Sequence, residues 1–139
     1  NTMKKILSLL VAALSLFMFS CFSPATPSDV AVQFYQHIAA GEYDEAVACI
    51  DFSAMSVENQ EEAKNTTRSV LTEKIAPSIE RKGGLTSIES ISETITENET
   101  GKSAVVKVKL AYGNGTVDED NATLIFDENN KEWKISVSK

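Results

Sequence analysis

The stretch Ala104-Val105-Val106-Lys107-Val108-Lys109-Leu110-Ala111-Tyr112 decides the fold. Ala104, Val106, Val108, Leu110 and Tyr112 fall on one side of an extended chain, with Lys107 and Lys109 on the other. That period of two belongs to a strand with one buried face. Asn114-Gly115 follows, a residue pair suited to a tight hairpin. Thr116 to Asp127 repeats the pattern with Ala122, Leu124 and Phe126 inward. Asn129-Asn130 turns the chain again, and Trp133, Ile135 and Val137 form a last strand with Lys134 opposed. Upstream, Leu85 to Thr96 is rich in Ile, Ser and Thr. Its Ile88, Ile91 and Ile95 are spaced like a helix, and a bulge near Glu89-Ser90 would return them to a common face.

The segment before these strands reads as helix. Pro27 suits a first helical position and Asp29 a first turn, so a helix starts at Thr26 or Ser28. Val30, Phe34 and Ile38 form its apolar stripe, with Ala31 and Tyr35 beside it, and Gly41 ends it. Glu42 to Ile50 reads as a shorter helix with Tyr43, Ala46, Val47 and Ile50 on one face. A third helical region runs from Ser56 or Val57 to about Lys82 on Ala63, Val70, Leu71, Ile75 and Ile79. Pro77 should kink or split it, and Gly83-Gly84 stops it. Helices followed by an antiparallel meander give an α+β domain, with the helices packed on a curved sheet of about four strands.

The first twenty residues carry a different signal. Lys4 and Lys5 precede an apolar run, Ile6 to Phe19, and then Ser20 and Cys21. That order is a secretory leader, and the run is short of the roughly 20 residues of a membrane span. Met3 is the expected start. Phe17-Met18-Phe19-Ser20-Cys21 resembles the lipobox of a bacterial lipoprotein: Ser20 fits, while Met18 and Phe19 depart from the usual Leu and small residue. The expected organisation is a signal peptide over 1–20, a lipidated Cys21 with a tether over 21–27, and one α+β domain over 28–139. Two or more acyl chains of the palmitate type hold a protein firmly to a membrane. The competing reading is an uncleaved signal anchor. Loss of Lys4 and Lys5 takes the net charge from −7 to −9. Such an acidic surface argues against nucleic acid as a partner and leaves membrane contact to the lipid. With Cys21 lipidated, Cys49 has no cysteine to pair with and reads as a small core residue.

Gly83-Gly84-Leu85, the alternating stretch from Ala104 to Tyr112, Gly115-Thr116 and Trp133-Lys134-Ile135 together resemble a bacterial lipoprotein domain family of unknown activity. Pro27-Ser28-Asp29-Val30-Ala31 with Phe34-Tyr35 fits its first helix. The likeness covers Pro24 to Val137. It implies a nuclear-transport-factor-2-like, or cystatin-like, fold: a cone of helices against a curved sheet. The family has also been labelled lumazine-binding-like. The superfamily includes polyketide cyclases, ketosteroid isomerases and pure binding or scaffold domains, so the fold does not choose a function. Phe22 after the cysteine does not resemble the inner-membrane retention signal of some Gram-negative bacteria. The resemblance thus implies a lipid-anchored protein of the outer membrane, facing the periplasm.

No catalytic motif stands out, and no cofactor is expected. His37 is the only histidine and flanks the stripe of the first helix, where it would be a general base or a boundary residue. Tyr35, Tyr112 and Trp133, with His37, are candidates to line a cavity between helices and sheet, against a reading of the aromatics as ordinary packing. Asp118-Glu119-Asp120 and Asp127-Glu128 are not metal ligands on this reading. The latter lacks the turn glycine of a calcium loop and has Lys131 at a ligand position, so both read as solvated strand ends. The expected function is a non-catalytic domain binding a small molecule or an envelope protein. The alternative is a small enzyme of the cyclase or isomerase type.

Overall fold

The computed structural model describes residues 25–136. The expected leader, the expected lipidation site at Cys21 and the expected end of the last strand at Val137 lie outside the described residues. Among those described, no helix is long and apolar enough to cross a membrane.

Helix α1 spans Pro27–Ala40. Its start is closed by a reciprocal pair: the Thr26 hydroxyl accepts from the Asp29 N–H, and the Asp29 carboxylate accepts from the Thr26 N–H, both at 3.1 Å. This satisfies two of the donors that every helix leaves unpaired at its N-terminus. Gly41, at φ 77°, ends it in the left-handed conformation. Val30, Ala31 and Ile38 are buried, as the four-residue spacing predicts.

Helix α2 is Tyr43–Ala48, shorter than the Glu42 to Ile50 segment expected. Ile50 reaches the core by another route. With Asp51 it forms the two-residue strand β1, paired parallel to the last strand through Ile50↔Ile135 and Asp51↔Ser136. The Ile135 N–H donates to the Cys49 carbonyl at 2.7 Å. Helix α3, Val57–Val70, runs through one π-helical turn, Leu71–Ile75, into α4, Ala76–Arg81. Pro77 lacks an N–H, and its ring would press on the carbonyl four residues back. The widened turn just ahead of it, where the Ala76 N–H reaches the Leu71 carbonyl, absorbs that misfit without splitting the helix.

Strands β2 (Leu85–Asn98), β3 (Gly101–Tyr112), β4 (Val117–Asp127) and β5 (Glu132–Ser136) follow. The five-stranded sheet has the order β1-β5-β4-β3-β2. It is therefore mixed by one short parallel pair, against the antiparallel sheet of about four strands expected. The bulge anticipated at Glu89-Ser90 falls between Ser90 and Ser92. It places Ile88, opposite Leu110, and Ile95, opposite Ala104, on one face; Ile91 is the extra residue and stays 43% exposed.

The inner face of β3 and β4 supplies the core. Val106, Val108 and Leu124 have no exposed surface, and each such aliphatic side chain contributes about 1.5–3 kcal/mol. Helix α1 begins against the middle of β2, where the Ser28 N–H and hydroxyl donate to the Glu93 carboxylate at 2.9 and 2.8 Å. Its far end shares a cleft with Leu85. The middle of the concave face is thus sealed, both of its ends are partly open, and a cavity remains under the edge of the helices.

Candidate functional site

Strand parity that sends Ala122 and Leu124 inward also sends Asp118 and Asp120 inward. Asp120 lies opposite Val108, and Asp118 opposite Leu110. At this end the concave face is no longer sealed, so carboxylates can occupy inner positions and keep their water. Tyr35, from the middle of α1, donates its hydroxyl to the Asp120 carboxylate. Tyr112, at the end of β3, is 8% exposed. The Lys82 ammonium lies 4.7 Å from the centre of its ring and 3.2 Å from an Asp118 oxygen. A ring face and a carboxylate are both favourable neighbours for a cation.

Tyr35, Tyr112, Asp118 and Asp120 rim a cavity of about 350 Å3 between α1, α4 and the sheet, with Ile75, Ile79, Leu85 and Leu110 as its apolar lining. A larger cleft of about 650 Å3 lies beside the end of α1 and Gly83-Gly84. Its walls are mostly small side chains and backbone, with Tyr43 and Glu80 as the polar side chains. The smaller cavity is the better candidate because an apolar lining and several convergent polar groups coincide there.

Burial pushes the Tyr35 hydroxyl well above its ordinary pKa, and the hydrogen bond and charge of Asp120 push it further. Tyr112 is raised too, by burial first, with Lys82 pulling the other way. Both phenols therefore stay protonated at physiological pH, and Tyr35 is a fixed donor to Asp120.

The sequence pattern of the family described as "Domain of unknown function (DUF4878)" matches residues 19–136. The chain belongs to this family. Among solved structures, this DUF4878 domain is similar to a Campylobacter jejuni protein that carries the provisional name NTF2-like transpeptidase. The TM-score is 0.69 at 23% identity, over 82% of this chain and 100% of that one. That likeness establishes the NTF2-like fold for the DUF4878 domain. A more distant resemblance, TM-score 0.42 at 14% identity, links 82% of the chain to 90% of Aln2 from a Streptomyces species. No curated protein matches the chain.

Of the four side chains that the sequence nominates for the cavity, the DUF4878 domain brings Tyr35 and Tyr112 together. His37 sits outside it, at the end of α1. Its Nδ1 is 3.0 Å from Glu42 Oε1, a carboxylate that folds back beyond the helix end and that the helical wheel could not supply. Trp133 packs edge-on against Phe126, with ring centres 5.3 Å apart, toward the other end of the concave face. Asp118 and Asp120 are the lining residues the sequence reading missed, and Lys82, which holds Asp118 and Tyr112, is a third residue it missed. The signal for the two aspartates was their even spacing with Ala122, Leu124 and Phe126. For Lys82 there was none, because its neighbours come from far along the chain.

Cys49 is half-buried, and burial raises its thiol pKa, which suits a packing residue. Asp127 accepts from the Asn129 and Asn130 N–H groups and from the Asn130 side chain, at 3.0, 3.2 and 2.8 Å. Its carboxylate is thereby held below the usual range as part of a turn. Among the described residues no group of three or more His, Cys, Asp or Glu side chains is placed to hold a metal.

Proposed function

We propose that this domain is the exported part of a cell-envelope lipoprotein, anchored through Cys21, and that its cavity binds a small organic molecule without transforming it. The observation that carries the binding reading is the Tyr35–Asp120 pair at the mouth of an apolar cavity. It offers a fixed acceptor beside an aromatic wall, a setting suited to a compact ligand with a flat or aliphatic body and one donor group. Lys82, over Tyr112 and beside Asp118, shows the kind of cation such walls accommodate.

The anchor rests on Lys4, Lys5, the apolar run and Ser20-Cys21. The family match begins at Phe19, so Cys21 falls inside the family pattern. The outer membrane, facing the periplasm, is the location this reading assigns. Mass spectrometry of the membrane-fraction protein tests it: an unmodified, uncleaved N-terminus overturns it. For the cavity, a thermal-shift panel should include flat heteroaromatics of the lumazine type and small amines. A ligand at about 100 times its Kd adds roughly 2.7 kcal/mol to stability, enough to raise Tm by several degrees. The shift should vanish in Asp120→Asn. A ligand that binds the variant as well as the wild type sinks the cavity reading.

One observation favours a second reading, a cyclase- or isomerase-type enzyme: a carboxylate and a phenol share the cavity. A general base works best when desolvated, whereas Asp120 is exposed, and His37 is engaged elsewhere with Glu42. Transpeptidation, the activity in the Campylobacter protein's name, needs an activated nucleophile. Cys49, with its raised pKa, does not fit that role.

A further inference from the structure

The concave face is left open at the end opposite the cavity mouth. Ile95 is 51% exposed there, and Phe126 and Trp133 are only half-buried. The Lys102 ammonium lies 5.0 Å from the centre of the Phe126 ring. Two aromatic rings, an exposed aliphatic side chain and a lysine whose stem lies along an aromatic are the side chains that sit comfortably at a lipid–water boundary. The start of α1 points the same way. Ser28 is tied to Glu93 and Ser90, and the helix runs from there toward the Leu85 end of β2. The N-terminus of α1 therefore faces the Ile95 side. Cys21 is five residues before Thr26, and five residues span at most about 18 Å.

We infer that this end of the domain, with Ile95, Lys102, Phe126 and Trp133, rests against the bilayer, and that the Tyr35–Asp120 cavity opens away from it into the aqueous compartment. The inference rests on lipidation at Cys21. Six residues of β4 separate Phe126 from Asp120, roughly 20 Å of strand, so the cavity clears the headgroups. Of the nearby lysines, Lys131 pairs with Glu128 and Lys134 with Glu132, each at 3.6 Å, and Lys102 is a single cation over the Phe126 ring, too little charge to select anionic lipid. The contact should therefore form on zwitterionic lipid and need no anionic headgroup.

Trp133 is the only tryptophan in the chain and serves as the reporter. The lipidated protein is reconstituted on phosphatidylcholine vesicles, a fraction of whose headgroups carry a nitroxide quencher. Trp133 emission should fall by about half, as for a ring at the interface. A second protein, Val117→Trp in a Trp133→Phe background, places the reporter at the other end of β4, and its emission should be unchanged. Unquenched Trp133 in protein that sediments with the vesicles overturns the inference and leaves the anchor standing, and so does equal quenching at both positions. Protein that stays in the supernatant overturns the anchor and the inference together. If the double variant fails to fold, Glu119→Trp in the same background, exposed toward the same end of β4, supplies the second reporter.

Discussion

A methyl group on Gly113 would come within 2.3 Å of the carbonyl oxygen of Gly83. The two glycines mark the place where the end of α4 docks onto the β3–β4 hairpin. The Gly113 N–H donates to the Gly84 carbonyl and the Asn114 N–H to the Lys82 carbonyl, both at 2.9 Å. This docking also holds Lys82 beside Asp118 and Tyr112. Gly113→Ala should therefore destabilise the domain by about 2–4 kcal/mol, since backbone must move on both sides. Gly84→Ala meets nothing within 4 Å and should cost only the left-handed backbone strain, about 1–2 kcal/mol. Urea denaturation of both variants gives the comparison, and equal losses would show that the contact is not tight in solution.

The Tyr35–Asp120 bond is charge-assisted but reaches solvent. Tyr35→Phe should cost about 1 kcal/mol, and a double-mutant cycle with Asp120→Asn should return a coupling of roughly 0.5–1 kcal/mol. Zero coupling, with both single variants at wild-type stability, would mean that the hydroxyl and carboxylate do not meet in solution.

Alkaline pH should weaken the fold through the same tyrosine. The folded protein holds Tyr35 protonated above the ordinary phenol value near 10, because of burial and Asp120. Above that value the unfolded chain releases a proton that the folded chain keeps, so mass action favours unfolding. Stability should be insensitive to Tyr35 below about pH 9 and should fall as pH rises past 10. Tyr35→Phe should flatten that decline, leaving the parts due to Tyr112 and Cys49, whose pKa values burial raises as well. Denaturation midpoints across pH 8–11 measure it, and an identical decline in the variant would reject the assignment.

Thr26→Ala removes one half of the reciprocal cap on α1 and should cost about 1 kcal/mol. Thr26→Ser keeps the acceptor oxygen and should lie within a few tenths of wild type. Thermal denaturation of the pair distinguishes loss of the cap from loss of the threonine methyl.

Local chemistry made most of the fold legible. The cap at Thr26, the stop at Gly41, the break at Gly83-Gly84 and the alternation from Ala104 to Tyr112 each follow from residues within a few positions. Strand β1 was not legible, because Ile50 meets the helical spacing of α2 equally well and its partner Ile135 is far along the chain. Pro77 predicts a kink or a split in the helix; the chain instead inserts a π-turn just before it, because a helix can widen ahead of a proline and keep its hydrogen bonds. Asp118 and Asp120 were readable by parity, but acidic residues near a strand end look solvated unless one knows that the concave face is open there. His37 and Trp133 are local neighbours of core positions, and the sequence alone cannot say which end of the face each occupies.

Among the described residues strand β2 forms one border of the sheet, with no strand on its outer side. A straight fourteen-residue border would invite copies of the protein to add strand to strand. Register shifts between Leu85 and Ser87 and between Ser90 and Ser92 divide it into short runs. The two longer runs each carry carboxylates: Glu89 in residues 87–90, Glu93 and Glu97 in residues 92–98. Two such borders brought together would oppose like charges along kinked, mismatched ladders. On the proposed lipid anchor the domain would be concentrated on a two-dimensional surface, where a kinked, charged border opposes strand-on-strand growth.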